Sequence, residues 1–278
     1  MSGESLTPEQ AHHLLDLMAK GGFDEGMDAG VALTLADVAL QIDQPERADA
    51  LIAHAIQLAT DTEDNDQLAW ALLTKARIVN DGSALSEAED LVAISEDDWL
   101  RSSYNNQFGI YALETGDIPA AKSAFSQSLA LKEALEDKVG QANTLYNLGE
   151  IAREENEFEQ AKEFHARCVD LLEELEYRKG MVNGLAILGH LEASEANVDG
   201  AIIHYEAALE IAEQEDDFEG TVVCRWGLAE MARAMEDEDL ELQHLTQVMT
   251  GFMQLGRPTP DPIKDRLNEL ADSIHGGE

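Results

Sequence analysis

Basic residues are scarce in this chain: 18 Lys and Arg stand against 57 Asp and Glu in 278 residues, a formal charge of -39 at pH 7. Phosphate backbones are held by clusters of Lys and Arg, so nucleic-acid binding is excluded as a function class. Attraction to an anionic membrane surface is disfavoured for the same reason. Long apolar runs are missing as well, with nothing near the roughly 18 residues of a membrane span. The opening Met1-Ser2-Gly3-Glu4 has neither the basic start nor the apolar run of a secretory signal. Only Cys168 and Cys224 could form a disulfide, and both sit at apolar positions of helical patterns, which fits buried thiols in a reducing, cytoplasmic setting. Catalytic signatures are lacking too: there is no Walker-type phosphate loop, Gly-x-Ser-x-Gly elbow or Cys-x-x-Cys. The His12-His13 pair lacks the i, i+4 spacing of a helical metal site, and His165 and His204 fall at packing positions. No catalytic residue, metal site or cofactor is expected, so the chain reads as a non-enzyme.

What the sequence does have is a period. Gly109, Gly149 and Gly189 are 40 residues apart, as are Ala121, Ala161 and Ala201, and Gly140, Gly180 and Gly220. Leu131, Leu171 and Ile211 keep the same step, and so do Ile118, Phe158 and Val198. Such a period marks a repeat array in which each unit buries its apolar face on its neighbours. Hydrophobic residues make up 44% of the chain while aromatics make up 5% and Pro only 6 residues, which favours helices packed through Ala and Leu.

One unit, from about Lys138 to Tyr177, shows the content. Leu145, Leu148, Ile151 and Ala152 recur at offsets of 3 and 4 and form one apolar helical stripe. Gly149 lies inside that stripe at a cost of about 1 kcal/mol relative to Ala. A second helix crossing too closely for a side chain accounts for it. Glu155-Asn156-Glu157 reads as a turn, and a second stripe follows through Phe158, Ala161, His165, Cys168 and Leu172.

These residues resemble the tetratricopeptide repeats. The pattern is carried by Leu145, Leu148-Gly149, Ala161, His165 and Cys168, and again by Leu185, Leu188-Gly189, Ala201, Tyr205 and Ala208. The glycine column extends to Ala36, Ala76 and Ala229, and the small-residue column to Ala48 and Ala88, whereas Glu241 breaks it in the sixth unit. The 40-residue step, with the phrase Tyr146-Asn147-Leu148-Gly149, is most like kinesin light chain and the Pins/LGN-type adaptors. The resemblance implies an all-α, right-handed superhelix (an α-solenoid) of about six helical hairpins over residues 28–256. Residues 1–27 are expected to hold an N-terminal helix, from Thr7 to about Lys20, and a linker. After the Pro-rich stop beginning at Gly256, residues 257–278 are expected to form a final helix with a stripe of Ile263, Leu267, Leu270 and Ile274. That helix either caps the array or folds into its groove.

In this family the first helix of each hairpin lines the concave surface. The resemblance therefore implies a peptide-binding groove of Asn106, Gln107, Asn143, Tyr146, Asn147, Glu150, Arg153, Asn183, His190, Trp226, Glu230 and Arg233. Asn is a poor helix former, so its clustering on one face asks for a reason, and side-chain amides can pair with the backbone of an extended peptide. Tyr146 and Glu150 stand where carboxylate-clamp relatives carry Lys, which argues against that role. The leading expectation is a non-catalytic adaptor, monomeric or a small homo-oligomer, binding a protein or peptide segment. The alternative is a structural self-assembly protein. The acidity has two readings: a solvated surface adapted to high salt, or attraction to a basic or amphipathic partner.

Overall fold

A computed structural model describes residues 27–79 and 82–276; the expected helix at Thr7–Lys20 lies outside them. The described residues hold 13 helices and no strand. In chain order these are α1 (Ala29–Gln41), α2 (Pro45–Asp61), α3 (Asn65–Val79), α4 (Gly82–Ile94), α5 (Asp98–Glu114), α6 (Ile118–Ala134) and α7 (Lys138–Glu154). They continue as α8 (Phe158–Glu174), α9 (Arg178–Ser194), α10 (Val198–Gln214), α11 (Phe218–Ala234), α12 (Glu238–Gln254) and α13 (Asp261–Gly276). The first twelve pair as six hairpins. The chain divides into two compact units, Met1–Glu136 and Asp137–Glu278. Within each, consecutive helices pack on one another, and first helices also meet: α1 with α3 and α3 with α5 in one unit, α9 with α11 in the other.

From α5 to α12 every helix is 17 residues long and every connection is three. The backbone therefore repeats at half the period seen in the side chains. Each helix ends on a left-handed residue, and these fall 20 apart at Gly116, Glu136, Asn156, Glu176, Ala196, Asp216, Glu236 and Gly256, with φ between 52° and 81°. The reversed turn closes the helix end: at Asn156, for example, the next amide, of Glu157, donates back to the Ala152 carbonyl at 2.8 Å. The following helix starts on a capping side chain. Asp117, Asp137, Asp217 and Asp237 accept from the backbone amide three residues on, at 3.0–3.1 Å. Part of the acid excess is thus helix capping.

The expected close crossing is present. A Cβ on Gly109 would lie 2.8 Å from the Phe125 ring, one on Gly149 2.5 Å from His165, and one on Gly189 3.0 Å from Tyr205. In each case the partner is 16 residues on. Where the column holds Ala, the residue 16 on is aliphatic: Ala36 packs in one cluster with Ile52, Ala76 with Val92, and Ala229 with Leu245. Glycine admits a ring and alanine admits a branched side chain, so summed volume at the crossing is conserved.

The short second hairpin explains the 33-residue step: α3 spans 15 residues and α4 only 13. At the other end, Glu241 stands in the small-residue column yet is 2% exposed. Its carboxylate receives both Nε and Nη2 of Arg266 on α13, each at 2.8 Å. Ile263 and Leu270 of α13 are buried with Leu245 and Val248 of α12. The drift of the sixth repeat is a fastening for the last helix, which caps the second unit.

Two stability outcomes follow. Gly109→Ala should destabilise by about 1–3 kcal/mol through overpacking, despite its better helix propensity. Gly109→Ala combined with Phe125→Leu, which copies the Ala229–Leu245 pairing, should recover most of that loss in urea unfolding; additive losses would refute volume matching. At the cap, Arg266→Ala leaves a buried carboxylate unpaired and should cost about 3 kcal/mol or more. Glu241→Ala restores the column's usual residue and frees a partly exposed Arg266, so it should cost clearly less.

A candidate peptide cleft in the second unit

Three first helices of the second unit, α7, α9 and α11, contribute one face each to a cleft of about 380 Å³. Tyr146, Glu150 and Arg153 come from α7, Asn183, Ala186, Ile187 and His190 from α9, and Val223, Trp226, Gly227 and Glu230 from α11. On every helix these residues fall at offsets of three, four or seven from the first, so a single stripe faces the cleft. The volume lies within the range of ligand sites, and the lining has the usual apolar body with a few polar groups.

The remaining wall is Tyr205 from the second helix α10. Its ring lies against Gly189 on α9, and a Cβ on Gly227 of α11 would come within 2.4 Å of it. Two glycines from successive hairpins thus hold one ring between them. Burial, and next the Glu230 carboxylate, push its hydroxyl up to about 12. Tyr205 stays a neutral wall of the cleft.

Behind α7 a polar cluster sets the charge of the opposite wall. Glu150 receives Arg153 Nη2 at 2.7 Å, and His165 Nε2 lies 3.3 Å from its Oε1, an ion-pair separation without hydrogen-bond alignment. His165 is fully buried beneath Gly149, with its ring edge-on to Tyr146 at 5.7 Å. The His165 imidazole and then Arg153 draw the Glu150 carboxyl down to about 2, against the opposing effect of burial. The sequence places His165 at a packing position, and there it is buried with neither ring nitrogen hydrogen-bonded.

Of the twelve groove residues expected from sequence, Tyr146, Glu150, Arg153, Asn183, His190, Trp226 and Glu230 line this cleft. Arg233 lines an adjoining hollow of about 170 Å³ that shares Trp226 and Glu230 and is closed by α12 and α13. Asn143 is exposed and Asn147 half-buried on α7, and neither lines the cleft. In the first unit Gln107 is half-buried, and Asn106 Oδ1 accepts from Lys132 Nζ at 3.0 Å. Sequence reading missed Tyr205, Val223 and Gly227 as wall residues. Gly227 occupies the column of Asn147, and that break was the available signal. A further hollow of about 460 Å³ in the first unit lies between α4, α5 and α6, where Tyr104 and Phe108 stack at 6.1 Å.

Residues 99–174 match the tetratricopeptide repeat family model. No curated protein matches the chain. Among solved structures, the apo form of RapI superposes with a TM-score of 0.76 at 14% identity, over 89% of this chain and 72% of that one. BtubC (BKLC) from P. vanneervenii gives 0.57 at 18% identity, over 88% and 94%. A Rap protein complexed with competence and sporulation factor gives 0.55 at 16%, over 81% and 66%. At these identities the likeness is one of fold.

The Glu150 cluster has a pH signature. Its carboxyl titrates lower in the folded chain than the ordinary 4.5, so its contribution is complete above that value and is lost as pH falls towards about 2. Glu150→Gln should therefore lower urea stability at neutral pH and converge on the parent as pH approaches about 2. A constant difference across that window would show that the cluster does not hold the charge.

Proposed function

We propose that this chain, a tetratricopeptide-repeat protein, is a non-catalytic scaffold that holds a segment of a partner protein in the cleft between α7, α9 and α11. The observation that carries this reading is the convergence of seven sequence-predicted residues from three successive hairpins on one cleft of about 380 Å³. Repeats of this family are generally non-catalytic protein-binding modules. Of the acids near the cleft, Asp217 caps α11 and Glu150 pairs with Arg153. A Rap protein of similar fold, crystallised with competence and sporulation factor, offers a parallel for a bound factor on such a scaffold.

Within the cleft, Trp226 and Ile187 supply apolar contact, while Asn183 and His190, both exposed, present donors and acceptors to a main chain. Asn143 and Asn147 extend the α7 face beyond the hollow, and Asn106 and Gln107 are assigned the same role on α5 of the first unit. The buried free thiols Cys168 and Cys224 accord with a cytoplasmic setting. Burial pushes them up to about 11 and about 12, which makes them poor nucleophiles.

Val223 gives the sharpest test, because it is apolar, 54% exposed and on the cleft wall. Immobilised parent protein should retain a partner from the source lysate that Val223→Arg loses by about tenfold or more, some 1.4 kcal/mol. Glu163→Ala, on an exposed face of α8, should retain it fully. Equal retention by the Val223→Arg protein, with helicity unchanged, would move the binding surface elsewhere.

A further inference from the structure

The hollow of about 460 Å³ in the first unit is built differently from the cleft. Two of its three sides are second helices, α4 and α6, and only α5 is a first helix, so it is not part of the first-helix face. The repeat columns show why space is left there. At 40-residue steps from Ala124 stand Phe164, His204 and His244, so α6 brings a methyl group where the next three second helices bring a ring. Its neighbours along the same stripe, Ala120 and Ser123, are small as well. On α5, Asn105 stands in the column of Leu145 and Leu185. The hollow is thus opened by a missing ring and lined by a polar group in an apolar column. Its volume lies within the range of ligand sites.

Its chemistry is that of a cation acceptor. Tyr104 and Phe108 stand one turn apart on α5, with ring planes 10° from parallel and centroids at 6.1 Å, and make a flat aromatic wall. Burial, and next the Glu89 carboxylate of α4, push the Tyr104 hydroxyl up to about 12, so the ring stays neutral beside that carboxylate. Two charged side chains line the hollow, Glu89 and Arg101. Arg101 is held by Asp98 on its own helix at 2.9 Å. Among the described residues no base pairs with Glu89, so the uncompensated local charge is one carboxylate. Asn105, Ser123 and Gln127 add further acceptor oxygens to the lining. The local sign therefore agrees with the formal charge of -39 on the chain.

We infer that this hollow takes an arginine side chain from a partner protein. The flat guanidinium lies against the Tyr104–Phe108 wall and pairs with Glu89, while its remaining N–H groups reach Asn105, Ser123 and Gln127. Its aliphatic stem covers Ala120 and Ala124, in the space the missing ring leaves. An ammonium has neither the planar face for the rings nor the fork for several acceptors, so lysine fits less well. The acid excess of the whole chain draws a basic surface towards this face and repels an acidic one. The assignment does not depend on the cleft, which is built from other helices, and it gives the scaffold a second point of contact with a partner.

The test is titration of the full chain, labelled with 13C at alanine methyl groups, with the blocked peptide acetyl-Gly-Arg-Gly-amide and its lysine, citrulline and glutamate counterparts. Salt of about 0.3 M screens diffuse attraction to the acidic surface. The arginine peptide should shift the methyl signals of Ala93, Ala120 and Ala124 saturably, and the others should shift them far less at equal concentration. Glu89→Gln should weaken the arginine peptide about fivefold or more. Ala124→Phe, which copies Phe164 and fills the hollow, should abolish the shifts at Ala93 and Ala120, with circular dichroism checking that helicity is kept. Equal shifts from the lysine, citrulline or glutamate peptide would overturn the guanidinium assignment. No saturable shift at these methyls, or shifts that survive both Glu89→Gln and Ala124→Phe unchanged, would overturn the site itself. Either result leaves the cleft of the second unit to its own test with Val223→Arg.

Discussion

The packing of every hairpin turns on how closely its two helices approach at one point. At the glycine column the second helix presses a ring, or at alanine an aliphatic side chain, onto the first helix's backbone. Dispersion and burial at that contact depend on a fit of a few tenths of an ångström, since interiors pack at crystal density. Because the contact recurs at fixed spacing, the helices must start and stop in register. The 17-residue helices, three-residue turns and left-handed closing residues of α5–α12 are what that register requires. Six of the eight closing residues are not glycine, so the array tolerates local backbone strain to keep its turns short.

A stack of this kind has no internal reason to stop, because each hairpin exposes an apolar face to the next. In the second unit the stop is electrostatic. Putting Glu241 where five earlier hairpins have Ala places a carboxylate in the interface, and only a cationic partner makes it tolerable. Arg266 on α13 supplies that partner, while Lys264, Asp265, Asn268 and Glu269 turn the outer side of α13 to water. One substitution in the repeat pattern thereby converts a surface that would accept another hairpin into one that accepts this helix.

Much of this was legible in the sequence because stacking forces it there. A 40-residue step in glycine, alanine and leucine columns cannot be kept without hairpins that cross at one place, so fold, hairpin count and most first-helix faces could be read directly. The finer 20-residue period could not. Backbone turns share a conformation across Gly116, Glu136, Asn156 and Ala196 that side-chain identity does not reveal. The division near Glu136 was equally hidden, since the columns run through it unchanged. Glu241 was read as decay of the repeat because its partner lies 25 residues away on a helix outside the pattern. Tyr205 belongs to the repeat pattern and is buried; that the same ring also walls the cleft depends on Gly227, one hairpin further on.

That double use of Tyr205 links the packing rule to the cleft. A ring is admitted between α9 and α10 because Gly189 has no side chain, and its far edge then reaches the next first helix, where Gly227 must yield as well. With glycine at that point, where a Cβ would come within 2.4 Å of the Tyr205 ring, α11 presents Val223, Trp226 and Glu230 around a depression. The cleft therefore needs no loop insertion or added element. It arises where one hairpin's ring claims the side-chain space of its neighbour, and its polar residues are the first-helix positions that packing leaves unassigned. Those positions are free to vary without disturbing the crossing contacts, so the partner specificity of such an array can change while its architecture stays fixed.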